Sequence, residues 1–576
     1  MPAALRPLPT PDRRPLAGRE IVLLAAAMLL VWFLAWGHPL RPPDEGRYGS
    51  VSATIAETGD WLVPQFRGRP HLTKPPLTYW LQAVGVESFG RSALAVRWPS
   101  LVATSLGLGI LFAFARRGLG TRPALVATAC AAVMPMVLVV GRLANTDALL
   151  NLAWIVMLFV GWRIAERDGR GGLLLVAFWA AQAFGFMVKG PAALGPCLIL
   201  GAWLVLAGRW RDILRFAPWF GLPLAIAPFA AWIALIAMRY PQAAQLWWDE
   251  TIGRVTGEKD LRAEPFWFYL PIFLAGMYPA TAMLSLPGFN FRWNLVWPAL
   301  RAGDLRALCL VAILFPLLGL SISSGKLATY LLPLAAPTAI LVSITIERWL
   351  RGEFDRPDAG YRPPDVRRTL AILAVIIFVV ELGAAIYAAP SERELWPLVI
   401  PLAIVPIGCA TPWLWWRGGR VARERGLAVA WVALFAGWTL IFGLETRFTS
   451  LWGADKLLEA VEQLLDVRRP QVATVGFVDP TIAFYNGGKP TLEGIELKTL
   501  ATRTDLEYPL IVAMTPDAVE RAIDEAPDVA MELQRVAVWR RWFSKPTNVY
   551  VLVQPPRPAH RDDAAHAPQP NRATGS

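Results

Sequence analysis

Long apolar segments, separated by short polar ones, fill most of the chain up to about residue 445. A helix that crosses a membrane needs roughly 17 to 25 mainly apolar residues. Applied to this pattern, that length predicts about thirteen transmembrane helices. Their ranges are about 20–37, 92–115, 122–140, 145–164, 172–188, 190–207, 216–238, 265–286, 307–323, 327–346, 370–389, 395–416 and 427–444. The pattern is typical of a polytopic α-helical membrane protein.

The arginine content of the connections predicts the orientation of these helices. Cytoplasmic loops carry an excess of Lys and Arg. Alternate connections hold several Arg each, at 116–122, 166–170, 209–215, 292–306, 347–368 and 417–425. We therefore expect them to be cytoplasmic, together with the N-terminal residues 1–19. An odd number of helices then places the C-terminal part on the periplasmic side, with the long loops 38–91 and 239–264.

The two long periplasmic loops belong to a predicted membrane domain of residues 20–445. The first loop is expected to hold two short helices that lie along the interface, because 50–58 is mildly amphipathic and the segment from Pro75 to Trp80 carries aromatic anchors. The second loop runs into Pro265-Phe-Trp-Phe-Tyr269, which is typical of an interfacial aromatic belt.

From residue 446 to residue 555 the composition becomes that of a soluble domain. Short β-type runs at 471–477, 508–513 and 547–552 alternate with helical stretches near 454–466 and 516–525. This alternation predicts a small α/β domain on the periplasmic side. The tail 556–576 is rich in Pro, Ala, Arg and Asp and is predicted to be disordered.

The composition agrees with a membrane protein. Of the 576 residues, 55% are hydrophobic and only 17% are charged, and the mean hydropathy is +0.42. A soluble domain needs more charge to stay in solution. The net charge of +12 follows from the Arg-rich cytoplasmic loops, so no nucleic-acid partner is predicted. The four cysteines have neither disulfide nor zinc spacing.

Polar residues at the periplasmic ends of the apolar segments are candidates for a functional site, because such residues are costly beside hydrocarbon. The predicted topology places a group of them at one depth: Asp44, Glu45, Arg47, Tyr48, Lys74, Arg142, Asp147, Lys189, Arg254, Lys326 and Tyr330. Acidic groups beside basic groups are expected where a nucleophile must lose a proton and a phosphate must be held.

Each candidate also has a purely structural interpretation. These alternatives are a solvated helix exit for Asp44 and Glu45, interfacial snorkelling for Lys74, helix N-capping for Asp147, a flanking anchor for Lys326, a surface ion pair for Arg254 and a simple turn for Lys189. No single position decides between a structural and a functional role, so the prediction of a site depends on their convergence.

Six motifs together resemble those of one family. They are Asp44-Glu-Gly-Arg-Tyr48, Gly59-Asp-Trp61, Lys74-Pro-Pro-Leu-Thr-Tyr-Trp80, Lys189-Gly-Pro191, Pro265-Phe-Trp-Phe-Tyr269 and Lys326-Leu-Ala-Thr-Tyr-Leu-Leu-Pro333. Their order and rough spacing over about residues 20–345 are similar to those of the aminoarabinose (Ara4N) transferases of lipid A, in the dolichyl-phosphate-mannose-protein mannosyltransferase superfamily of GT-C fold. The resemblance implies thirteen helices and a terminal periplasmic domain.

The resemblance also implies a membrane glycosyltransferase of the bacterial inner membrane. Such an enzyme moves a sugar from an undecaprenyl (polyprenyl) phosphate carrier to lipid A or another envelope glycan at the periplasmic face, with inversion at the anomeric carbon. It makes Asp44 the catalytic base, with Glu45 and Asp147 as further acidic residues of the site. The residues expected to hold the carrier phosphate are Arg47, Lys74, Arg254, Lys326 and Tyr330, and those expected to line the pocket are Tyr48 and Lys189.

Two departures from the family pattern bear on metal binding. Relatives often carry an acidic residue before the lysine of the Lys-Pro motif and a histidine in the loop before the Pro-Phe-Trp-Phe-Tyr motif. Here Thr73 and Thr251 stand at those places. Since a threonine hydroxyl is not among the usual zinc ligands, we expect no divalent metal and no other cofactor.

Other functions stay open from the sequence alone. Aminoarabinose is one option for the donor sugar, and mannose, galacturonic acid or another hexose agrees with the sequence nearly as well. The acceptor is also compatible with a protein, as in a protein O-glycosyltransferase of the mannosyltransferase type. A non-enzymatic transporter or flippase for a lipid-linked sugar is a further alternative. A transporter is expected to place its charged residues near the bilayer midplane, whereas the candidates here are predicted to lie at one interface.

Overall fold

The computed structural model describes most of the chain up to residue 353 and parts of the rest. The described residues are 11, 14–167, 171–243, 245, 247, 264–281, 297–298, 300–323, 325–353, 419–445, 454, 458–459, 462, 471–477, 479–487, 491–497, 499, 503, 506, 508–525, 533–540 and 546–552. The predicted helices at 370–389 and 395–416 and the predicted disordered tail lie outside them.

The described residues divide into two compact units. The first lies within Met1–His38 and Val51–Phe448, and the second within Pro39–Ser50 and Thr449–Ser576. The second unit thus begins close to the predicted boundary at residue 446. It also includes residues 39–50, which the sequence analysis had assigned to the membrane domain.

The first unit is helical. Its helices are α1 (Gly18–Ala35), α2 (Asp44–Thr58, shared with the second unit), α3 (Leu77–Phe89), α4 (Ala93–Leu119), α5 (Thr121–Ala132), α6 (Pro135–Val140), α7 (Asp147–Ala165), α8 (Gly171–Lys189), α9 (Gly195–Leu206), α10 (Pro218–Arg239), α11 (Tyr269–Gly276), α12 (Leu305–Ile322), α13 (Ala335–Leu350) and α14 (Arg420–Glu445). A two-stranded hairpin, β1 (Gln65–Phe66) with β2 (Arg69–Pro70), precedes α3.

Seven segments among the described residues are long and apolar enough to cross a membrane. They are Gly18–Ala35, Ala93–Leu119, Asp147–Ala165, Gly171–Leu206, Pro218–Arg239, Leu305–Ile322 and Ala328–Leu350. This confirms a multi-pass helical membrane protein. The finer prediction of thirteen helices stays a prediction, because two of them fall outside the described residues.

Several predicted helices are interrupted where the backbone cannot continue a regular helix. The predicted helix 122–140 is two helices, α5 and α6, because Pro135 lacks an N–H and disfavours helical geometry at Met134, which is extended. The predicted helix 190–207 begins only at Gly195. A 3-10 helix, Gly190–Leu194, precedes it, with Gly190 at a φ of 61° and Pro191 in its first turn. Another 3-10 helix, Ala328–Leu334, leads into α13.

Helix α4 is the central packing element of the first unit, because it packs against α1, α3, α5 and α7. Helix α7 in turn packs along α8, and α8 along α10. Small buried residues let the backbones approach, as Ala115 and Ala124 do with 0% exposure. Close packing of this kind holds helices together in a bilayer, where the hydrophobic effect contributes little free energy to helix association. It brings the start of α7 and the end of α8 to the same end of the helix pair.

The C-terminal unit contains a five-stranded sheet in the order β4-β3-β5-β7-β6. The strands are β3 (Gln471–Val475), β4 (Thr491–Ile495), β5 (Leu510–Met514), β6 (Leu533–Arg540) and β7 (Pro546–Leu552). Strand β3 pairs in parallel with β4 and β5, whereas β7 is antiparallel to β5 and β6. Helices α15 (Pro480–Tyr485) and α16 (Pro516–Glu525) complete an α/β unit.

Three of these strands were predicted and two were missed. Strands β3 and β5 are buried along their whole length, as expected for apolar runs covered on two faces. Strand β4 gave little signal because Thr491-Leu-Glu-Gly-Ile495 contains a charge and a glycine. Strand β6 lies at the edge of the sheet and carries Arg535 and Arg540, which are common on edges but weaken the hydrophobic pattern.

Candidate active site

The Asp44-Glu45 pair begins helix α2, where the sequence analysis predicted a loop with a helix only from residue 50. Two carboxylates in the first turn complement the positive end of the helix dipole. Glu45 is buried, and its Oε2 accepts a hydrogen bond from the backbone N–H of Arg41 at 2.8 Å. This contact gives Glu45 the task of holding the chain that leads into the helix.

Asp44 has the opposite environment. Its side chain is 62% exposed and pairs one turn along the helix with Arg47, which is 40% exposed. A surface pair of this kind restrains the carboxylate only weakly. Asp44 is therefore accessible to an incoming group, as a base must be. Tyr48, one of the predicted pocket residues, is buried in the same unit.

Asp147, Lys189 and Tyr330 meet in the first unit. Asp147 is the first residue of α7 and Lys189 the last of α8, so each charge lies at the helix end whose dipole favours it. The two side chains form an ion pair, and each is only 11% exposed. The Lys189 ammonium also lies 4.6 Å from the centre of the Tyr330 ring.

The capping interpretation of Asp147 is wrong for its side chain. The backbone N–H of Asp147 donates to Oδ1 of Asn145 at 2.9 Å, so the asparagine caps the start of α7. The Asp147 carboxylate is consequently available to Lys189. Lys189 is likewise more than a turn residue, because it binds a carboxylate and an aromatic face.

Lys326 precedes the 3-10 helix that carries Tyr330. It is 5% exposed, and its ammonium donates to the backbone carbonyl of Glu264 at 2.9 Å. Among the residues that the structure describes, no carboxylate pairs with it. A buried ammonium without an anion is strongly disfavoured unless a ligand supplies the negative charge. Because Lys326 is buried, its interpretation as a simple flanking anchor is disfavoured.

Tyr269 is a neighbour of this group that the sequence analysis did not single out. It is fully buried, and its hydroxyl accepts a hydrogen bond from the backbone N–H of Leu327 at 3.1 Å. The sequence of the Pro-Phe-Trp-Phe-Tyr motif that contains it predicts an interfacial aromatic belt. Its aromatic neighbours Phe266 and Trp267 are indeed exposed. In this motif Phe266 and Trp267 are thus exposed, whereas Tyr269 is buried. The Tyr269 hydroxyl holds the backbone of Leu327, the residue after Lys326.

Two buried arginines hold the exit of α1. Arg142 donates to the carbonyl of Leu34 at 2.6 Å, and Arg97 donates to the carbonyl of His38 at 2.7 Å. Each is 2% exposed. Arg142 was among the sequence candidates, whereas Arg97 was missed although a lone arginine in an apolar segment is a recognised signal. Both arginines thus hold the backbone of residues 34–38, which precedes Asp44 in the chain.

Lys74 lies between the β1–β2 hairpin and α3 and is half-buried. The preceding Thr73 hydroxyl is 3.0 Å from Nε2 of His71, whose ring packs edge-on against Tyr79. Thr73 thus offers a hydroxyl bound to an imidazole at the place where relatives often carry a carboxylate. No group of three or more potential metal ligands occurs within the described part of the chain. Thr251 and Arg254 lie outside it.

Of the predicted site residues, the structure brings Asp147, Lys189 and Tyr330 into direct contact, as it does Asp44 and Arg47; the others are assigned only to one of the two units. Asp44, Glu45, Arg47 and Tyr48 lie in the second unit, whereas Lys74, Asp147, Lys189, Lys326 and Tyr330 lie in the first. That the two groups serve one reaction stays a prediction.

The Asp147–Lys189 pair yields a stability prediction. Asp147→Asn leaves the Lys189 ammonium in a poorly hydrated place without its anion, which costs about 3–5 kcal/mol. We expect a clear fall in the melting temperature of the detergent-solubilised protein. The double variant Asp147→Asn/Lys189→Met should recover most of the loss, because it removes the unpaired charge. A double variant whose melting temperature is as low as that of Asp147→Asn, or lower, would contradict the pairing.

Residues 73–234 match the family described as dolichyl-phosphate-mannose-protein mannosyltransferase. A relative from Edwardsiella ictaluri is 35% identical over 55% of this chain and 57% of its own length. Another, from Aeromonas hydrophila, is 32% identical over 53% of this chain and 56% of its own. Each is named undecaprenyl phosphate-alpha-4-amino-4-deoxy-L-arabinose arabinosyl transferase. The chain thus spans a little over half the length of the curated relatives it matches.

Solved structures extend the likeness over nearly the whole chain. The crystal structure of ArnT from Cupriavidus metallidurans bound to undecaprenyl phosphate matches with a TM-score of 0.73 at 21% identity, covering 95% of this chain and 100% of that one. The apo form of the same protein matches with a TM-score of 0.72, covering 92% and 98%. The resemblance stated from the motifs is therefore confirmed, and the chain has the GT-C fold of ArnT.

Proposed function

We propose that this protein is a membrane glycosyltransferase that takes a sugar from undecaprenyl phosphate and passes it to an envelope acceptor. The observation that carries the proposal is Lys326, a buried ammonium that has no carboxylate partner among the described residues. An anion is the group that such a site favours, and a lipid phosphate is an anion that enters from the membrane. ArnT from Cupriavidus metallidurans, which has the same fold, was crystallised with undecaprenyl phosphate bound.

The donor sugar proposed here is 4-amino-4-deoxy-L-arabinose, and the acceptor is lipid A. The names of the matched relatives support the sugar, since they specify this arabinose on undecaprenyl phosphate. The acceptor follows from the motif resemblance to lipid A transferases. A protein acceptor, as in the mannosyltransferases, is the alternative that the experiment below separates.

The proposed reaction is a direct displacement at the anomeric carbon. An acceptor oxygen forms the new bond to that carbon while the bond to the carrier phosphate oxygen breaks, so the configuration inverts. The electron pair leaves with undecaprenyl phosphate, and in this proposal the Lys326 ammonium stabilises the developing negative charge. When the acceptor is a hydroxyl, its proton passes to the Asp44 carboxylate, which is exposed and accessible.

The proposed location is the bacterial inner membrane, with the chemistry at the periplasmic face. Arginine-rich ends of the helices support this orientation. Near the start of α1, Arg116 donates to the carbonyl of Arg14. Arg209, between α9 and α10, binds Asp212 of the same connection and Glu166, which follows α7. Burial alone would lower the pKa of Arg209, but its bonds to the two carboxylates outweigh this effect and raise the pKa. Arg209 therefore stays charged, as a cytoplasmic anchor must.

The test of this proposal is mass spectrometry of envelope glycans from cells with and without the protein. We expect a lipid A species carrying one additional aminopentose only when the protein is present. A sugar found instead on periplasmic proteins would show that the acceptor is a protein and not lipid A. A carrier-linked sugar that changes leaflet without transfer, in vesicles containing the purified protein, would identify a flippase and overturn the proposal.

A further inference from the structure

The short segment Pro39–Ser50, which contains Asp44, forms one compact unit with the C-terminal α/β domain. The segment contacts α15 there, a helix of six residues that follows β3, an interior strand of the sheet. The contacts lie before and after Asp44 along the segment. These contacts indicate a role for the C-terminal domain, for which the sequence predicts only a small α/β fold.

Two glycines of α2 allow α15 to come into direct backbone contact. A Cβ added to Gly46 would lie 2.4 Å from the backbone nitrogen of Thr481 and 2.8 Å from the carbonyl carbon of Pro480. A Cβ on Gly49 would lie 3.0 Å from the Phe484 ring. Residues three apart share one face of a helix, so the two glycines form a flat strip against α15. Any larger side chain at Gly46 must move α2 away.

Hydrogen bonds fix the segment at its two ends. The backbone N–H of Leu40 donates to the Tyr485 hydroxyl at 2.8 Å. The Ser50 hydroxyl donates to the carbonyl of Pro480 at 3.1 Å. Asp44 therefore lies between two points that are attached to the same short helix.

Helix α15 is itself held by the sheet. Asp479 is buried and caps the helix, since its Oδ1 accepts from the N–H of Thr481 at 3.1 Å. Ile482 is fully buried in one cluster with Val472 of β3 and Ile511 of β5. A helix packed on two interior strands is a rigid support, which loops are not.

We infer that α15 of the C-terminal domain is a positioning element for Asp44, so that this domain is part of the catalytic apparatus. The inference rests on the proposed function of Asp44 as the base. Asp44 is exposed, and within the described part of the chain its side chain has a surface pair with Arg47 alone, so its own side-chain contacts do not determine where it lies. The backbone contacts at Gly46, Gly49, Leu40 and Ser50 do. A base displaced by about 1 Å loses about 100-fold in rate.

The experiment compares full-length variants in detergent with undecaprenyl phosphate-linked aminoarabinose as donor and lipid A as acceptor. Gly46→Ala is expected to lower kcat by about 100-fold while the Kd for undecaprenyl phosphate stays unchanged. The matched control is Gly201→Ala in α9, where an added Cβ has nothing within 4 Å, and its kcat should equal that of the wild type. A variant that merely reduces the folded fraction would leave kcat per carrier-binding molecule unchanged.

A second pair of variants provides a rescue. Gly49→Ala meets side chains and not backbone, at Phe484 and Leu40. We expect Gly49→Ala to lower kcat by about 10-fold and Gly49→Ala/Phe484→Leu to recover part of it, because the smaller side chain makes room for the methyl group. If Gly46→Ala fails to fold, this pair decides, and a double variant no better than Gly49→Ala would overturn the inference.

The outcomes separate the two proposals. An active wild type with a Gly46→Ala variant as fast as Gly201→Ala overturns the positioning role and leaves the proposed function standing. A wild type that binds undecaprenyl phosphate but transfers no sugar overturns the proposed function, and the positioning role with it.

Discussion

Asp44→Asn is expected to lower the kcat for sugar transfer by about 10²–10⁴-fold, the range that general base catalysis contributes. An amide of the same shape cannot take the proton of the acceptor hydroxyl. The fold should persist, because the Asp44 side chain is 62% exposed and its pair with Arg47 lies at the surface. The Kd for undecaprenyl phosphate should therefore change by less than about 2-fold. Steady-state transfer assays and carrier titration of the same preparation measure the two quantities.

The matched control for this prediction is Glu57→Gln, in the last turn of the same helix. Glu57 is also an exposed carboxylate, at 50%, with an arginine partner, Arg91. It lies outside the second unit, and its neutralisation should leave kcat unchanged. An Asp44→Asn variant that turns over as fast as Glu57→Gln would remove Asp44 from the role of base. The proposed sugar transfer would then need another acceptor for the proton.

The positions of the long helices could be predicted because hydrophobic length decides them. The predicted helices 145–164 and 216–238 agree within a few residues with α7 and α10. No competing structure can place about twenty apolar residues in a bilayer with its backbone groups satisfied. The interruptions were missed because a hydropathy pattern does not register backbone geometry. Met134, at which the predicted helix 122–140 breaks, is as apolar as the helices on either side of it.

The association of residues 39–50 with the C-terminal domain was beyond sequence reasoning. The bond from Ser50 to Pro480 joins residues 430 positions apart. Neither Gly46 nor Gly49 signals a partner by its type, since a glycine in a helix has many causes. Their role becomes visible only through the distances to Thr481 and Phe484.

Part of the candidate site was accessible from sequence because charge in apolar surroundings is rare. That rule selected Asp147, Lys189 and Lys326, and the structure shows all three buried or nearly so. The rule failed for Tyr269, because an aromatic residue in an aromatic motif carries no such signal. Its inward direction depends on the turn that precedes α11.

Lys326→Met is expected to weaken undecaprenyl phosphate binding and at the same time to leave the protein at least as stable as the wild type. The charged hydrogen bond to a phosphate contributes about 1.5–3 kcal/mol, which is about 10- to 150-fold in Kd. Stability should not fall, because methionine replaces a buried ammonium that no carboxylate compensates among the described residues. Carrier titration should thus show a weaker affinity, whereas thermal unfolding should show no fall in the melting temperature.

A weaker carrier affinity without a loss of stability distinguishes a ligand site from a structural anchor. Were Lys326 present only to bind the carbonyl of Glu264, its loss would lower the melting temperature and leave the Kd unchanged. Lys326→Arg is the matched variant, since it keeps the charge on a different shape and should retain most of the carrier affinity. Raising the salt concentration should affect the wild type and Lys326→Arg little, because a buried ion pair with the phosphate is poorly screened. An unchanged Kd in Lys326→Met would remove the observation on which the proposed function depends.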